Sequence, residues 1–509
     1  MSLTRPIRGM RFFRDKRLFA KPYRASNAAP AIISYRYRLG KSSFRKKYYA
    51  ETTMKYILII PDGAADEPIE EQGGKTAFEL AATPAMDRIA REGHLGRALT
   101  VPDGCKPGSD VANLSLFGYD PRVGFNGRAA LEAASLDITV PEGDAVFRAN
   151  LVTVSPEHVM VDYSAGHIST EEGREIIEHL RNELGVDGIT LHPGVGYRHI
   201  CLMENAGSSV PDCTPPHDIV GENITEHLPQ GQFSSWVLEV ERASAEIMPN
   251  LDINKKRVEE GKNPATQLWL WGGATAMTLS NFAERHGLGS AGLITAVDLL
   301  RGIGKLAGMD VIDVPGATAY LDTNFAGKGR AALDYIYMHD FIAVHVEAPD
   351  EAGHIGDIAG KVKALEDIDR HIIAPLLAMA HYYGDWRILV APDHPTPVGT
   401  GKHSGDPVPY AMWGPGIESN GAKAFNEKEA ERVGGETVDG IGLMDTFITS
   451  ADTGSGNGDA TTNEVTADDA TTDGAATGEE LVEDTDETEA ALEDLVADVE
   501  TGADGEASE

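Results

Sequence analysis

The sequence predicts an α/β fold built on an open sheet flanked by helices. Three observations predict it. Short apolar runs alternate with helix-like stretches, three of those runs close on an aspartate, and the composition changes abruptly near residues 53 and 451, leaving a body with a core's share of apolar residues between two biased ends.

In chain order, "KYILIIPDGAAD" from Lys55 reads as a strand running into a turn, and "ATPAMDRIAREG" as a helix. "DVANLSLF", after Ser109, can start a helix. "GLITAVDLLRGIGKLAGM" is a strand followed by a helix, "DFIAVHVEAPD" a strand, "GDIAGKVKALEDIDRHIIAPLL" a helical stretch and "DWRILVAPDH" a last strand. The strand–helix alternation is the pattern of α/β units.

The ends are different in kind. Residues 1–53 carry 14 Lys and Arg against Asp15 and Glu51, a net of +12. Two readings are open for this basic, disordered extension: an organellar transit peptide, or a start placed too early, with "MKYILIIPDG" at Met54 as the natural beginning. Residues 451–509 carry 20 acids and no Lys or Arg, and are poor in large apolar side chains. Such a tail cannot offset its ordering entropy and is predicted to be disordered, with "EAALEDLVADVE" as a transient helix.

The body, residues 54–450, holds 30 basic and 58 acidic residues. A net of −28 argues against nucleic acid or an anionic membrane as partner and fits either an ordinary acidic protein or one from a salt-rich cytoplasm. Cys105, Cys201 and Cys213 are scattered and odd in number, which suggests free thiols in a reducing compartment. No apolar run reaches the roughly 18 residues of a membrane span. The cytoplasm is the expected location, or an organelle if the basic extension is a transit peptide.

The chemistry concentrates at strand ends. "LIIPDG", "VHVEAPD" and "ILVAPDH" each finish on Asp, and in open α/β sheets ligands gather beyond the carboxyl ends of the strands. A single such Asp is ordinary turn chemistry. Here Asp350 precedes His354 by four, Asp393 abuts His394, and His403 follows in "GTGKHSGDPVP"; with Asp62 they make three carboxylates and three imidazoles. That mixture suits first-row divalent metals, and six ligands suit two ions better than one. Ser109, in "CKPGSDVANLSLF", can be a plain helix N-cap or a nucleophile placed where free N–H groups favour phosphate.

In their order along the chain, "LIIPDG", "GSDVANLSLFGYDP", "VEAPDEAGH", "APDH" and "GKHSGDPVP" resemble the alkaline phosphatase superfamily. Together with "FRANLVTV", "DYSAGHISTEEG", "TPPHDIVGENI" and "LWLWG", the chain over 54–450 is similar to archaeal-type cofactor-independent phosphoglycerate mutases. The resemblance implies that Ser109 is transiently phosphorylated, that Asp350, His354 and His403 hold one divalent ion, and that Asp62, Ser109, Asp393 and His394 hold the other. The ion could be Mn, Mg, Zn or Co. Glu347 and Glu351 have no ligand role in that scheme and are expected to be surface or supporting charges.

The resemblance also implies an alkaline-phosphatase-like sheet domain, 54–135 and 266–450, interrupted by a smaller inserted α/β phosphotransferase domain, 136–265. Its substrate would be a small phosphorylated three-carbon acid, 3-phosphoglycerate or 2-phosphoglycerate, interconverted without 2,3-bisphosphoglycerate. Arg128, Arg148, Arg198, Arg301 and Lys305 are candidates for holding its anionic groups, and His167 and Asp218 for acid–base duty. After "LWLWG", where a basic residue is expected, the chain reads "GATAMTLSNF", so another cation must serve. A two-metal phosphohydrolase, or a mutase of another phosphorylated metabolite, would use the same ligands. A metal-binding protein without catalysis fits less well, because every ligand position and Ser109 are filled. Sequence alone leaves the oligomeric state open.

Overall fold

The computed structural model describes residues 54–207 and 209–450; the expectations for the basic extension and the acidic tail lie outside the described residues. Thirteen strands form two sheets: β1 (Lys55–Pro61), β2 (His94–Leu99), β3 (Ala145–Val154), β4 (Met160–Asp162), β5 (Ile189–Val195), β6 (Arg198–Met203), β7 (Gln267–Thr275), β8 (Ala291–Ile294), β9 (Asp310–Ile312), β10 (Phe341–Val346), β11 (Trp386–Val390), β12 (Val408–Trp413) and β13 (Val438–Asp439).

The larger sheet has the order β13-β2-β12-β11-β1-β10-β8-β9. Its centre is parallel: β1 lies between β10 and β11, and β10 pairs with β8. β12 runs antiparallel to both β11 and β2. Parallel strands covered on both faces should read as unbroken apolar runs, and these do. In β1, Tyr56, Leu58 and Ile60 join one core while Ile57 and Ile59 join the core on the opposite face. β10 is buried at all six positions, including His345, so its predicted alternation is in fact two buried faces, one of them carrying an imidazole.

Helices follow where the pattern places them. "PAMDRIARE" forms Pro84–Glu92 with Pro at its first turn and Met86, Ile89 and Ala90 buried. Residues Ser109–Leu116 form a helix buried at every position. The long helical stretch after β10 is Ile358–Ile368, a π-helical turn Asp369–Ile373, then Ala374–Tyr383. That turn places the Asp369 carboxylate on the backbone N–H groups of Ala85 and Met86, capping the helix Pro84–Glu92 from outside.

The smaller sheet runs β4-β3-β6-β5, with β7 paired to β3 as well. It is antiparallel, and its core of Phe147, Leu151, Ile177, Leu180, Val240 and Trp269 lies under the helices Thr170–Glu183 and Ser234–Ile247. β7 begins at residue 267, inside the stretch expected to belong to the larger domain, yet its hydrogen bonds go to β3.

Candidate active site

Three adjacent parallel strands deliver the carboxylates. Pro61 of β1 is level with Val346 of β10, and Ile59 with Val390 of β11, so the residues that follow all three strands emerge side by side. Asp62 continues β1, its N–H bonded to Val346 O. Asp350 sits on a short helix, Ala348–His354, directly beyond β10, and Asp393 and His394 lie three and four residues beyond β11. Asp62, Asp350, Asp393 and His394 are all buried.

Each of the seven predicted metal-site residues reaches this one place. His354 Nδ1 donates to Gly401 O at 2.9 Å, which aims Nε2 into the site. His354 Nε2 faces His403 Nε2 at 3.0 Å and Asp350 Oδ2 at 3.1 Å. His394 Nδ1 contacts Pro395 O at 3.3 Å, so its Nε2 is free toward Ser109 Oγ at 3.2 Å, and toward Asp62 Oδ1 and Asp393 Oδ2 at 3.5 Å each. Asp350, His394 and His403 offer ligand atoms within 4.8 Å of one another, and so do Asp62, Asp393 and His394.

Acceptors converging on acceptors require a cation or a proton between them. Asp62 Oδ1 is buried and has no hydrogen-bond partner. Burial, then the Asp393, Glu347 and Asp350 charges, push the Asp62 carboxyl well above its ordinary range. Burial alone would raise Asp350 too, but His354, His403, His394 and Thr396 hold it well below the carboxylate range. The hydrogen bond to Asp350 raises His354 to about 9. The donor set, two imidazole nitrogens with a carboxylate and a second group of two carboxylates with an imidazole, fits divalent cations.

The other donors in the site hold the carboxylates in place. Gly63 N and His394 N both donate to Asp393 Oδ1, at 3.0 and 2.9 Å, and Asn113 Nδ2 donates to Asp393 Oδ2 at 2.8 Å. The Thr396 hydroxyl donates to Asp350 Oδ1. Gly63 has φ +59°, and a Cβ there would stand 2.3 Å from Asp350 Oδ1 and 2.7 Å from Thr396 Oγ1. Only glycine fits that approach.

Two neighbours complete the site, and the sequence does not single out the first of them. His345 donates from Nε2 to Asp62 Oδ2 at 2.7 Å while its Nδ1 faces the Thr295 hydroxyl at 3.2 Å. Burial drives its pKa well below the ordinary value, so it is a neutral donor. Glu347, expected as a surface or supporting charge, is half-buried beside Asp62, a supporting place, and desolvation there lifts it to about 7. The signal was the i, i+2 spacing in "VHVE", which puts both side chains on one face of the strand.

A cleft of about 410 Å³ opens over Ser109. Arg128 and Arg198 line it with Asp350, His354 and His403. Arg128 Nε is paired with Asp110 at 2.8 Å. Arg148 lies behind the wall, bonded to Glu132 at 3.0 Å with its guanidinium 3.8 Å over the Trp271 ring. Arg301 is paired with Asp313 and Lys305 with Asp137; neither lines the cleft. His167 and Asp218 are exposed, in the segments after β4 and β6, and do not line it either.

Residues 90–254 match the family model described as 2,3-bisphosphoglycerate-independent phosphoglycerate mutase. The chain is 47% identical to a probable 2,3-bisphosphoglycerate-independent phosphoglycerate mutase of Geobacter sulfurreducens, over 78% of this chain and all of the relative. It is 48% identical to the Methanosarcina barkeri 2,3-bisphosphoglycerate-independent phosphoglycerate mutase, over 74% of this chain and 95% of the relative. Among solved structures, a protein from Pyrococcus horikoshii superposes with a TM-score of 0.67 at 27% identity, covering 79% of this chain and all of the other. The cofactor-independent phosphoglycerate mutase from Thermoplasma acidophilum shares the fold at a TM-score of 0.57 and 24% identity, over 78% of this chain and all of that one. With identity near half over the full length of such relatives, on a fold and a site of this kind, the chain belongs to the 2,3-bisphosphoglycerate-independent phosphoglycerate mutase family.

Proposed function

We propose that this protein is an isomerase that interconverts 3-phosphoglycerate and 2-phosphoglycerate through phospho-Ser109, with no need of 2,3-bisphosphoglycerate. The observation that carries the reading is the convergence of imidazole nitrogens and carboxylates around a buried serine hydroxyl, Ser109 Oγ being 3.2 Å from His394 Nε2. Asp350, His354 and His403 would hold one divalent cation and Asp62, Ser109, Asp393 and His394 a second. Bound there, such ions supply charge neutralisation and a lowered pKa for the serine hydroxyl.

The chain's own groups do the rest. Ser109 Oγ gives up its proton and attacks phosphorus, the bond from phosphorus to the substrate's C3 oxygen breaks, and that oxygen takes up a proton. The glycerate turns while water is kept from phospho-Ser109; its C2 hydroxyl then loses its proton and attacks the same phosphorus, the bond from phosphorus to Ser109 Oγ breaks, and Oγ takes up a proton. Arg128 and Arg198 are placed to hold the anionic ends during the turn. His167 and Asp218, exposed on the side of the smaller sheet and outside the cleft, would serve in acid–base duty only if that sheet closes toward Ser109.

In this reading the larger sheet forms the metal-holding domain and the smaller sheet an inserted substrate-holding domain. The pairing of β7 with β3 supports carrying the insert to residue 275. Among the described residues no helix is long and apolar enough to cross a membrane, and Cys105, Cys201 and Cys213 are free, which supports a cytoplasmic enzyme.

The test is to give the metal-loaded protein 3-phosphoglycerate without bisphosphoglycerate and follow both 2-phosphoglycerate and free phosphate. Formation of 2-phosphoglycerate without phosphate is expected. Phosphate alone would make the protein a hydrolase.

A further inference from the structure

We infer that Tyr320 is a substrate-positioning residue whose phenolic hydroxyl, with Arg198, grips the carboxylate end of the phosphorylated acid. The inference rests on the phosphoglycerate reading above and deepens it.

Tyr320 is 61% exposed and lines the cleft that holds Ser109. Its hydroxyl has no hydrogen-bond partner among the described residues, and its ring stacks on none. The loop that carries it is nonetheless firmly built. Asn324 N donates to Gly316 O and Asn324 Nδ2 to Pro315 O; Thr318 N donates to Thr323 Oγ1, and the Thr318 hydroxyl to Asp322 Oδ1 at 2.7 Å. The next residue, Leu321, packs so closely over Gly360 that a Cβ there would stand 2.9 Å from its Cδ1. A loop this constrained, beside the helix that follows the metal-site residues, holds an unpartnered phenol over the cleft. That is a preorganised donor.

The two arginines of the cleft divide the ligand. The Arg128 guanidinium stands on the Ser109 side, where a Cβ on Gly108 would be 3.1 Å from its Nη2, and it already answers Asp110. Arg198 comes from β6 on the smaller sheet and has no ion pair among the described residues; its guanidinium lies 5.7 Å from the Tyr197 ring. The phosphoryl group goes to Ser109. The remaining anionic group, the carboxylate, therefore falls to the wall of Arg198, Val195 and Tyr320. Holding it there keeps the glycerate in the cleft while phospho-Ser109 exists.

The experiment compares full-length, metal-loaded wild type, Tyr320→Phe and Tyr320→Ala. Tyr320→Phe is expected to raise KM for 3-phosphoglycerate roughly ten-fold, the loss of one hydrogen bond to a charged group. It should also raise the phosphate released per 2-phosphoglycerate formed several-fold, because glycerate escapes before taking the phosphoryl group back. If Tyr320→Phe behaves as wild type in both readouts, with or without a defect in Tyr320→Ala, the hydroxyl has no such role and the inference is overturned. If wild type itself makes no 2-phosphoglycerate, the phosphoglycerate reading has failed first and takes this inference with it.

Discussion

At the scale of single residues, the site depends on close approaches as much as on ligands. Gly63 leaves room for Asp350 and Thr396, and Gly63→Ala should push the Asp350 carboxylate out of place. Metal content after dialysis, measured by mass spectrometry, should fall well below wild type while the circular dichroism spectrum is kept. Ser109→Ala should abolish isomerisation with metal content intact, and retained turnover would exclude the covalent route. Under the proposed reading, protons would compete with a metal ion at His354. Its metal-free pKa of about 9 lies above the unfolded value, so the stability it gives the metal-free protein is full below about 6.5 and lost as pH rises through about 9. Metal affinity should accordingly climb by about ten-fold per pH unit over that range, which titration calorimetry would show. The convergence of the candidate ligands could be read from sequence, because an Asp that ends an apolar strand announces where it will be. His345 and Glu347 could not be assigned that way, since the strand period gives a face but not the neighbour, and only the pairing of β10 with β1 puts His345 on Asp62. Arg301 and Lys305 looked available in the string, and the fold gives both to acids on nearby loops.

At the scale of elements, the central strands were legible because burial on both faces leaves an unbroken apolar run. The smaller sheet was less so. Its strands β3 and β7 pair across more than a hundred residues of intervening chain, a partnership that no local pattern reports. One of its helices carries a testable cost. Glu241, in Ser234–Ile247, is buried and lifted to about 8, chiefly by burial and against the help of Leu270 N, which donates to Oε1 at 3.0 Å. The folded state therefore binds a proton that the unfolded state gives up between about 4.5 and about 8, and stability should fall as pH rises through that window. Glu241→Gln keeps the acceptor and removes the charge. The variant should melt several degrees higher than wild type at pH 8 and about level with it near pH 4.5, read by differential scanning calorimetry.

At the scale of the whole molecule, the body carries 30 basic against 58 acidic residues, so unscreened self-repulsion opposes the compact state. Added potassium chloride, from about 0.1 M to about 2 M, should raise Tm. A fall in Tm over that range would show that the ion pairs outweigh the repulsion. The two sheets meet in an arrangement with a further consequence. Ala145, where the chain enters the smaller sheet, is paired with Thr275, where it leaves. For the larger sheet, everything between those residues has the span of a single rung once the smaller sheet is folded. Closing a flexible loop of that length would cost about 3 kcal/mol more entropy than closing a short turn. If the smaller sheet forms first, the distant halves of the larger one can meet as if they were neighbours in sequence, and slowing the first event should slow the second.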